Sequence, residues 1–236
     1  MEKMVKMYKG DLVEYSVFEL VDFYDPILRI PTTPLKLETM EELKYAHYLA
    51  FSMAETLAKL EGLGLSANQV GLPHRICAIN MGNEIWTMFN PEIVERSYTV
   101  ADYQEGCLSY PGLYLKLNRP DHIKVRFQAT NGEWIEKEFD GLTAVCIQHE
   151  IDHLDGVVYT DRVSFIKLEQ AKRKVKQNLK KMKRYLQERN AAVQEAQILA
   201  EKQKAKIQSS AAPTIKILSP AETVKNEPEK FVYNMS

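Results

Sequence analysis

The stretch His-Glu-Ile-Asp-His at positions 149–153 constrains this chain more than any other feature of its sequence. Residues four apart lie on one face of a helix, so His149 and His153 can reach the same cation. Glu150 would then lie beside the cation without binding it. Apolar residues flank the stretch on both sides, which predicts a buried helix from Gly141 to about Asp155. The chain must therefore fold around a helix that carries metal-binding groups.

Cys107 is the candidate for a third ligand, in a turn-like segment that reads EGCLS at positions 105–109. Three protein ligands leave one coordination position open for water, which is typical of catalytic sites, whereas structural sites close all four positions. A thiolate with two imidazoles suits Fe(II), Co(II), Ni(II) or Zn(II), and the residues alone leave that choice open. Cys77, in contrast, is predicted to be a small buried hydrophobic residue.

These ligands predict a hydrolytic reaction. A cation in such a site acidifies water, and Glu150 is predicted to accept the proton and deliver it to the leaving amine. An oxyanion forms in this chemistry and needs hydrogen-bond donors. The candidates are the backbone N–H of Leu108 and the side-chain amide of Gln69. Taken by itself, Gln69 is better interpreted as an ordinary loop residue. Val145 and Cys146 lie on the same helix face as His149, so they are predicted to form the floor of a small apolar pocket.

The composition narrows the class of protein. No apolar run reaches the roughly 18 residues that a membrane span needs, and residues 1–20 are acidic without the apolar core of a signal peptide. The count of three cysteines is odd, which fits a reducing compartment better than a disulfide framework. We therefore expect a cytoplasmic protein with no membrane partner.

The charge is distributed unevenly along the chain. The net charge is −1, yet residues 167–189 contain ten Lys or Arg against two Glu. Because residues 163–208 show a helical pattern, we predict a long basic helix there. Its first part could pack on the body of the protein, its basic face could meet an anionic partner, or its apolar seam could mediate self-association.

The remaining elements follow from local signals. Three prolines predict an extended segment at residues 24–31, and Thr39 with Glu42 has the spacing of a capping box that opens a helix, with Gly62 as its end. The glycine stretch at residues 62–71 is predicted to approach a ligand closely as a loop. Strands are predicted at residues 75–81 and 86–89, and a hairpin at residues 122–130 and 133–139 that turns at Asn131 and Gly132.

Three segments together resemble the peptide deformylase family. That family has a glycine-rich loop that ends in Gln, then an EGCLS segment and a QHExDH segment in this order. Here they read GLGLSANQ at residues 62–69, EGCLS at residues 105–109 and QHEIDH at residues 148–153. The first departs at Ser66, where the family usually has Ala, and we expect only a minor local effect from this departure. The resemblance covers roughly residues 20–165.

The resemblance implies an α+β fold: a compact single domain with a central HExxH helix packed among antiparallel sheets, followed here by a long C-terminal basic helix. It implies hydrolysis of the N-formyl group on the N-terminal methionine of nascent polypeptides, which releases formate as part of protein biosynthesis. One divalent ion, Fe(II) in the cell, would be the cofactor, with Zn(II), Ni(II) or Co(II) as alternatives. The residue roles that it implies are ligands Cys107, His149 and His153, acid/base Glu150, oxyanion donors Gln69 and Leu108, and substrate contacts Leu63, Gly64, Val145 and Cys146.

Two further expectations concern the organisation of the chain. We predict a metallohydrolase domain at residues 1–165, a basic helical extension at 166–208 and a flexible tail at 209–236. Given the substrate that the resemblance implies, the basic face of the extension could meet ribosomal RNA near the exit of new chains. Arg119 is the candidate partner for Glu105, which often pairs with an arginine in this family.

Two other functions are compatible with parts of the sequence. A zinc peptidase of the HExxH type would need a third ligand downstream, and Glu169 is the candidate. A nucleic-acid-binding module with a closed structural metal site would need a fourth cysteine or histidine nearby, and Cys146 is the candidate.

Overall fold

The protein is described by a computed structural model that covers residues 3–8 and 11–209. Its strands are β1 (Met4–Tyr8), β2 (Asp11–Tyr15), β3 (Gly64–Ser66), β4 (Ile76–Asn80), β5 (Ile85–Arg96), β6 (Val100–Cys107), β7 (Tyr110–Pro120), β8 (His122–Gln128) and β9 (Trp134–Asp140). Its α-helices are α1 (Met40–Lys59), α2 (Gly141–Leu154) and α3 (Phe165–Ser209). The main sheet has the order β3-β4-β5-β8-β9, and β1-β2 and β6-β7 form separate hairpins. All these strand pairs are antiparallel.

Helix α2 lies at the centre of this arrangement. Its buried residues Ala144, Ile147 and Leu154 pack on side chains of the main sheet, among them Cys77 and Ile123. On another side, α2 contacts β7. The predicted α+β fold with antiparallel sheets and a long C-terminal helix is confirmed, and so is the prediction that Cys77 is buried.

The start of α1 follows the predicted capping box. The Thr39 hydroxyl accepts a hydrogen bond from the Glu42 N–H at 3.2 Å, and the Glu42 carboxylate accepts one from the Thr39 N–H at 2.9 Å. The helix ends at Lys59, before the predicted end at Gly62, because Glu61 takes the left-handed conformation with φ of 53°. Gly62 instead permits close packing, since a Cβ there would lie 2.8 Å from a Leu57 methyl carbon.

The prediction of an extended segment at residues 24–31 was wrong in its middle. Pro26–Arg29 form a 3-10 helix, in which the Asp25 carboxylate accepts a hydrogen bond from the Ile27 N–H at 2.9 Å. Proline is compatible with this position because the first residues of a helix have no partner for their N–H groups. The glycine stretch also has more regular structure than a loop, because it contains β3 and a 3-10 helix at Ala67–Val70.

The hairpin of β8 and β9 is confirmed, but its connection is longer than two residues. The Ala129 N–H donates to the Glu133 carbonyl at 2.9 Å, and β9 begins only at Trp134. Gly132 has φ of 84°, and a Cβ there would lie 2.7 Å from the Leu37 carbonyl oxygen. Glycine therefore meets both the backbone and the packing requirement of this turn.

The chain divides into two compact units, Met1–Leu179 and Lys180–Ser236. In the first unit, the beginning of α3 packs through Leu168 and Val175 on an apolar cluster of β7, which confirms the packing predicted for that part of the helix. In the second unit, the side chains of residues 180–206 are exposed.

The predicted domain boundaries at residues 165 and 208 stay predictions. Residues 210–236, most of the predicted tail, lie outside the described residues. Within the part of the chain that the structure describes, no helix is long and apolar enough to cross a membrane.

Candidate functional site

Three candidate ligands converge at the boundary between α2 and the β6-β7 hairpin. Helix α2 presents His149 and His153 one turn apart, and the last residue of β6 brings Cys107 to them. One ligand atom from each residue lies within 4.8 Å of the other two. The Cys107 Sγ lies 3.2 Å from the His153 Nε2. The structure therefore brings together the three residues that the sequence predicts as ligands.

The hydrogen bonding of His149 leaves one ring nitrogen available for a metal. Its Nδ1 lies 2.9 Å from a carboxylate oxygen of Glu105. Burial opposes ionisation of Glu105, but hydrogen bonds and charge from Arg119 and His149 outweigh it and lower the pKa of this carboxyl to about 2. An ionised Glu105 can only accept, so the Nδ1 carries the proton and donates it. The Nε2 is buried without a hydrogen-bond partner among the described residues, as expected for a nitrogen that binds a metal.

The electrostatic surroundings also favour a cation. Burial opposes protonation of His149, yet Cys107 and Glu105 raise its pKa to about 10. This rise means that the site attracts positive charge to the imidazole. A divalent metal would supply that charge, held by the neutral imidazole in place of the proton. The residues present therefore fit a divalent metal.

Glu150 lies directly beside the candidate ligands and is 3% exposed. Burial raises its pKa to about 7, although the charge of His149 opposes this rise. Its Oε2 has no hydrogen-bond partner in the described part of the chain. Gly64 packs against this carboxylate so closely that a Cβ would lie 2.8 Å from the Glu150 Cδ and 2.8 Å from the Cys146 Sγ. Because Gly64 has no side chain, the Glu150 carboxylate can occupy the space beside it.

The predicted oxyanion donors lie next to Cys107. The Gln69 Nε2 donates to the Ser109 hydroxyl at 3.1 Å and to the Cys107 Sγ at 3.4 Å. Its carbonyl oxygen accepts hydrogen bonds from the Ser66 N–H at 2.9 Å and the Ser66 hydroxyl at 3.0 Å. These contacts orient the amide so that its N–H groups face Cys107. Leu108 follows Cys107 in the short turn between β6 and β7.

A pocket of about 420 Å³ opens beside these groups. Its lining includes each predicted substrate contact, namely Leu63, Gly64, Val145 and Cys146, and also Gln69, Cys107, Leu108, His149 and Glu150. Leu63 is 54% exposed and Leu142 is 57% exposed, so apolar side chains border the pocket where it meets solvent. The pocket can hold an apolar side chain with its attached amide next to the candidate ligands.

A buried network of ion pairs is connected to the proposed ligand His149 through Glu105. The prediction that Arg119 pairs with Glu105 is confirmed, because its Nε and Nη2 donate to the two carboxylate oxygens at 2.7 and 2.8 Å. Sequence reasoning missed Asp152, which accepts hydrogen bonds from both Arg119 and Arg162. The sequence did indicate a role for Asp152, because a carboxylate within a predicted buried helix needs a charged partner. No local signal could have identified Arg162.

Comparison with known proteins agrees with this geometry. The sequence profile of the polypeptide deformylase family matches residues 17–169, more than half of the chain. A peptide deformylase of Phenylobacterium zucineum is 44% identical over 170 residues, which are 70% of this chain and 98% of that protein. The chain belongs to the polypeptide deformylase family. Membership confirms the predicted activity, a metal-dependent hydrolysis that removes the N-formyl group from nascent peptides.

Solved deformylase structures share the fold. The structure from Legionella pneumophila has a TM-score of 0.62 at 30% identity and covers 72% of this chain and 99% of its own. The structure from Synechococcus elongatus, a complex with actinonin, has a TM-score of 0.60 at 34% identity and covers 66% of this chain and 85% of its own. The predicted resemblance to this family is confirmed.

The two other functions lack support in the described residues. Glu169, the third ligand that a zinc peptidase would need, accepts a hydrogen bond from Lys172 at 3.1 Å and is not among the groups that could hold a metal together. Cys146, the fourth ligand that a closed structural site would need, is also absent from that group and lines the pocket. The geometry is that of an open, three-ligand site.

Proposed function

We propose that Cys107, His149 and His153 bind one divalent ion and that this ion is Fe(II) in the cell, with Zn(II), Ni(II) and Co(II) as possible replacements. The observation that carries the proposal is the buried His149 Nε2, which has no hydrogen-bond partner among the described residues, in a residue whose ligand atom lies within 4.8 Å of those of Cys107 and His153. One thiolate and two imidazoles form a donor set that suits these four ions. When bound, the ion supplies Lewis acidity for hydrolysis.

We propose Glu150 as the general acid/base. Its pKa of about 7 lets it accept a proton from water and return it near neutral pH. The proton moves first from water to the Glu150 carboxylate, while the oxygen of that water attacks the formyl carbon. It then moves from Glu150 to the amine nitrogen as the C–N bond breaks. The products are formate and a free amino terminus.

The substrate contacts follow from the pocket. The Gln69 amide and the Leu108 backbone N–H would donate hydrogen bonds to the formyl oxygen as negative charge develops on it. Val145 and Cys146 would contact the methionine side chain in the pocket. Leu63 and Gly64 would line the substrate and form backbone hydrogen bonds with the peptide. The substrate proposed for this chain is therefore the formyl-methionyl end of a polypeptide.

Formate release from a formyl-Met peptide tests this function. We expect rapid release by protein that is loaded with Fe(II) or Ni(II) under anaerobic conditions. Removal of the metal by a chelator should abolish release, and adding the metal back should restore it. Cleavage of the internal peptide bonds of the same substrate, measured in parallel, should be absent. Protein with one ion per chain that releases no formate would contradict the proposal.

We further propose that the exposed basic part of α3 contacts ribosomal RNA. Four adjacent basic side chains, Lys180, Lys181, Lys183 and Arg184, are exposed, and three of them form no ion pair in the described residues. A cluster of this kind attracts phosphate groups, and binding to phosphates weakens as salt is added. A ribosomal location would also bring the enzyme to new chains as they emerge.

Replacing these four residues with glutamine should weaken binding of the full-length protein to ribosomes by at least about tenfold at moderate salt and reduce the salt dependence of binding. A matched control replaces four exposed basic residues of the first unit, Lys36, Lys44, Lys59 and Arg96, with glutamine. Cosedimentation over a range of salt concentrations measures both quantities. Equal effects of the two sets, or binding that does not depend on salt, would refute the ribosomal contact.

A further inference from the structure

Residues 155–164, which we call the connector, join α2 to α3 and pack against the proposed metal site. Val158 and Tyr159 in the connector are buried. The ring centroid of Tyr159 lies 5.5 Å from that of His149, and the Tyr159 hydroxyl donates to the Leu113 carbonyl at 2.8 Å. The connector is thus in direct contact with a proposed metal ligand.

Arg162 reaches from the connector to Asp152, which lies in α2 between the two histidines. The Arg162 Nε donates to the Asp152 Oδ2 at 2.6 Å, and the Arg162 Nη2 donates to the Oδ1. Both carboxylate oxygens are engaged, which is the strong, directional form of this ion pair. The Asp152 side chain is 12% exposed and the Arg162 side chain is 43% exposed, so the pair connects the protein interior to its surface.

This pair continues into the interior as a chain of hydrogen bonds. The Arg119 Nη1 donates to the Asp152 Oδ2 at 2.6 Å, and the same guanidinium holds both oxygens of Glu105. Glu105 in turn accepts a hydrogen bond from the His149 Nδ1 at 2.9 Å. Two carboxylates and two guanidinium groups therefore link the connector to the imidazole.

The formal charges of the two carboxylates and two guanidinium groups cancel. Without Arg162, the buried Arg119 would be the one cation left within this network for both Glu105 and Asp152. Leaving a buried carboxylate without its counter-charge is costly, so Arg119 would shift toward Asp152 and loosen its two hydrogen bonds to Glu105. Glu105 would then hold the His149 ring less firmly, and residues that orient a metal-binding histidine strongly affect metal affinity.

We propose that Arg162 is a positioning residue for the metal site. Through this chain of hydrogen bonds it fixes the orientation of the His149 ring and slows release of the bound ion. The inference rests on the ligands proposed above, and it adds a residue that lies outside the pocket and contacts neither the ion nor the substrate.

The test measures loss of Ni(II) from the full-length, Ni(II)-loaded protein to an excess of chromogenic chelator, well below the unfolding temperature. We expect Arg162→Ala to lose the ion about tenfold faster than the wild type. Arg162→Lys keeps the charge but cannot hold both oxygens in the same way, so an intermediate rate is expected. The matched control is Arg29→Ala, which removes a different arginine that also binds the connector, at Asp161. It should change the rate less than about twofold.

A wild-type rate for Arg162→Ala would overturn the proposal. An equal acceleration by Arg29→Ala would also overturn it, because the effect would then come from anchoring the connector and not from the Asp152 pair. If Arg162→Ala does not fold, Arg162→Lys decides: a rate above that of the wild type supports the proposal and a wild-type rate refutes it. Wild-type protein that binds no Ni(II) would instead refute the proposed metal site itself.

Discussion

Replacing Glu150 with glutamine is expected to lower kcat for formate release by about a thousandfold, while the metal content stays at one ion per chain. General acid/base catalysis typically contributes a factor of about 10² to 10⁴. Glutamine keeps the size of the side chain that packs against Gly64, so the site should retain its shape. It cannot accept a proton, however, so neither activation of water nor protonation of the leaving amine is possible. Steady-state kinetics and metal analysis of the same samples measure the two quantities.

The control for this substitution is Glu138→Gln, because Glu138 is an exposed glutamate on β9. It should leave kcat and metal content at the wild-type values. A Glu150→Gln variant with near-wild-type kcat would contradict the assigned role. A variant that loses its metal would show that Glu150 acts in metal binding instead.

Replacing Cys107 with alanine is expected to weaken metal binding by more than about a hundredfold and to abolish formate release at low metal concentrations. Loss of a residue that merely orients a ligand costs about 10-fold to 100-fold in affinity, so loss of a ligand should cost more. Alanine also removes the sulfur that accepts a hydrogen bond from the Gln69 side chain. Equilibrium competition with a chelator of known affinity measures the change.

Glu169→Gln is the matched control for this experiment. In a zinc peptidase of the HExxH type, Glu169 would be the third ligand, and its replacement would remove the metal. In the structure, Glu169 pairs with Lys172 on α3, so we expect wild-type metal affinity and wild-type formate release. The reverse pattern, with metal lost from Glu169→Gln and retained by Cys107→Ala, would exclude the proposed ligand set.

Local sequence patterns correctly predicted those elements whose backbone conformation is determined by neighbouring residues. The spacing of His149 and His153 required a helix, and the capping box at Thr39 correctly located the start of α1. The buried alternation of Leu113, Leu115 and Leu117 is also a local pattern, yet β6 and β7 were not predicted. The segment at residues 105–109 was predicted to be turn-like, but Glu105–Cys107 are the last residues of β6, and only Leu108 and Ser109 form the turn.

Other features depend on side-chain hydrogen bonds between residues that are close in sequence. The 3-10 helix at Pro26–Arg29 forms where proline content alone indicated an extended chain, because Asp25 caps it. Ser66 was expected to have a minor local effect, and in the structure its hydroxyl donates to the Gln69 side chain. Hydrogen bonds of this kind depend on the direction of each side chain, which spacing along the sequence does not specify.

The sequence by itself determined the family, the ligand candidates and the central helix, because each requires particular residue types at short, regular spacing. Only the tertiary structure decided how Cys107 meets α2, which nitrogen of His149 is left for the metal, and that Arg162 reaches Asp152. The physical reason is that burial makes unpaired charges costly, so partners are selected by position in the folded protein. The sequence contains those partners but does not show which of them will meet.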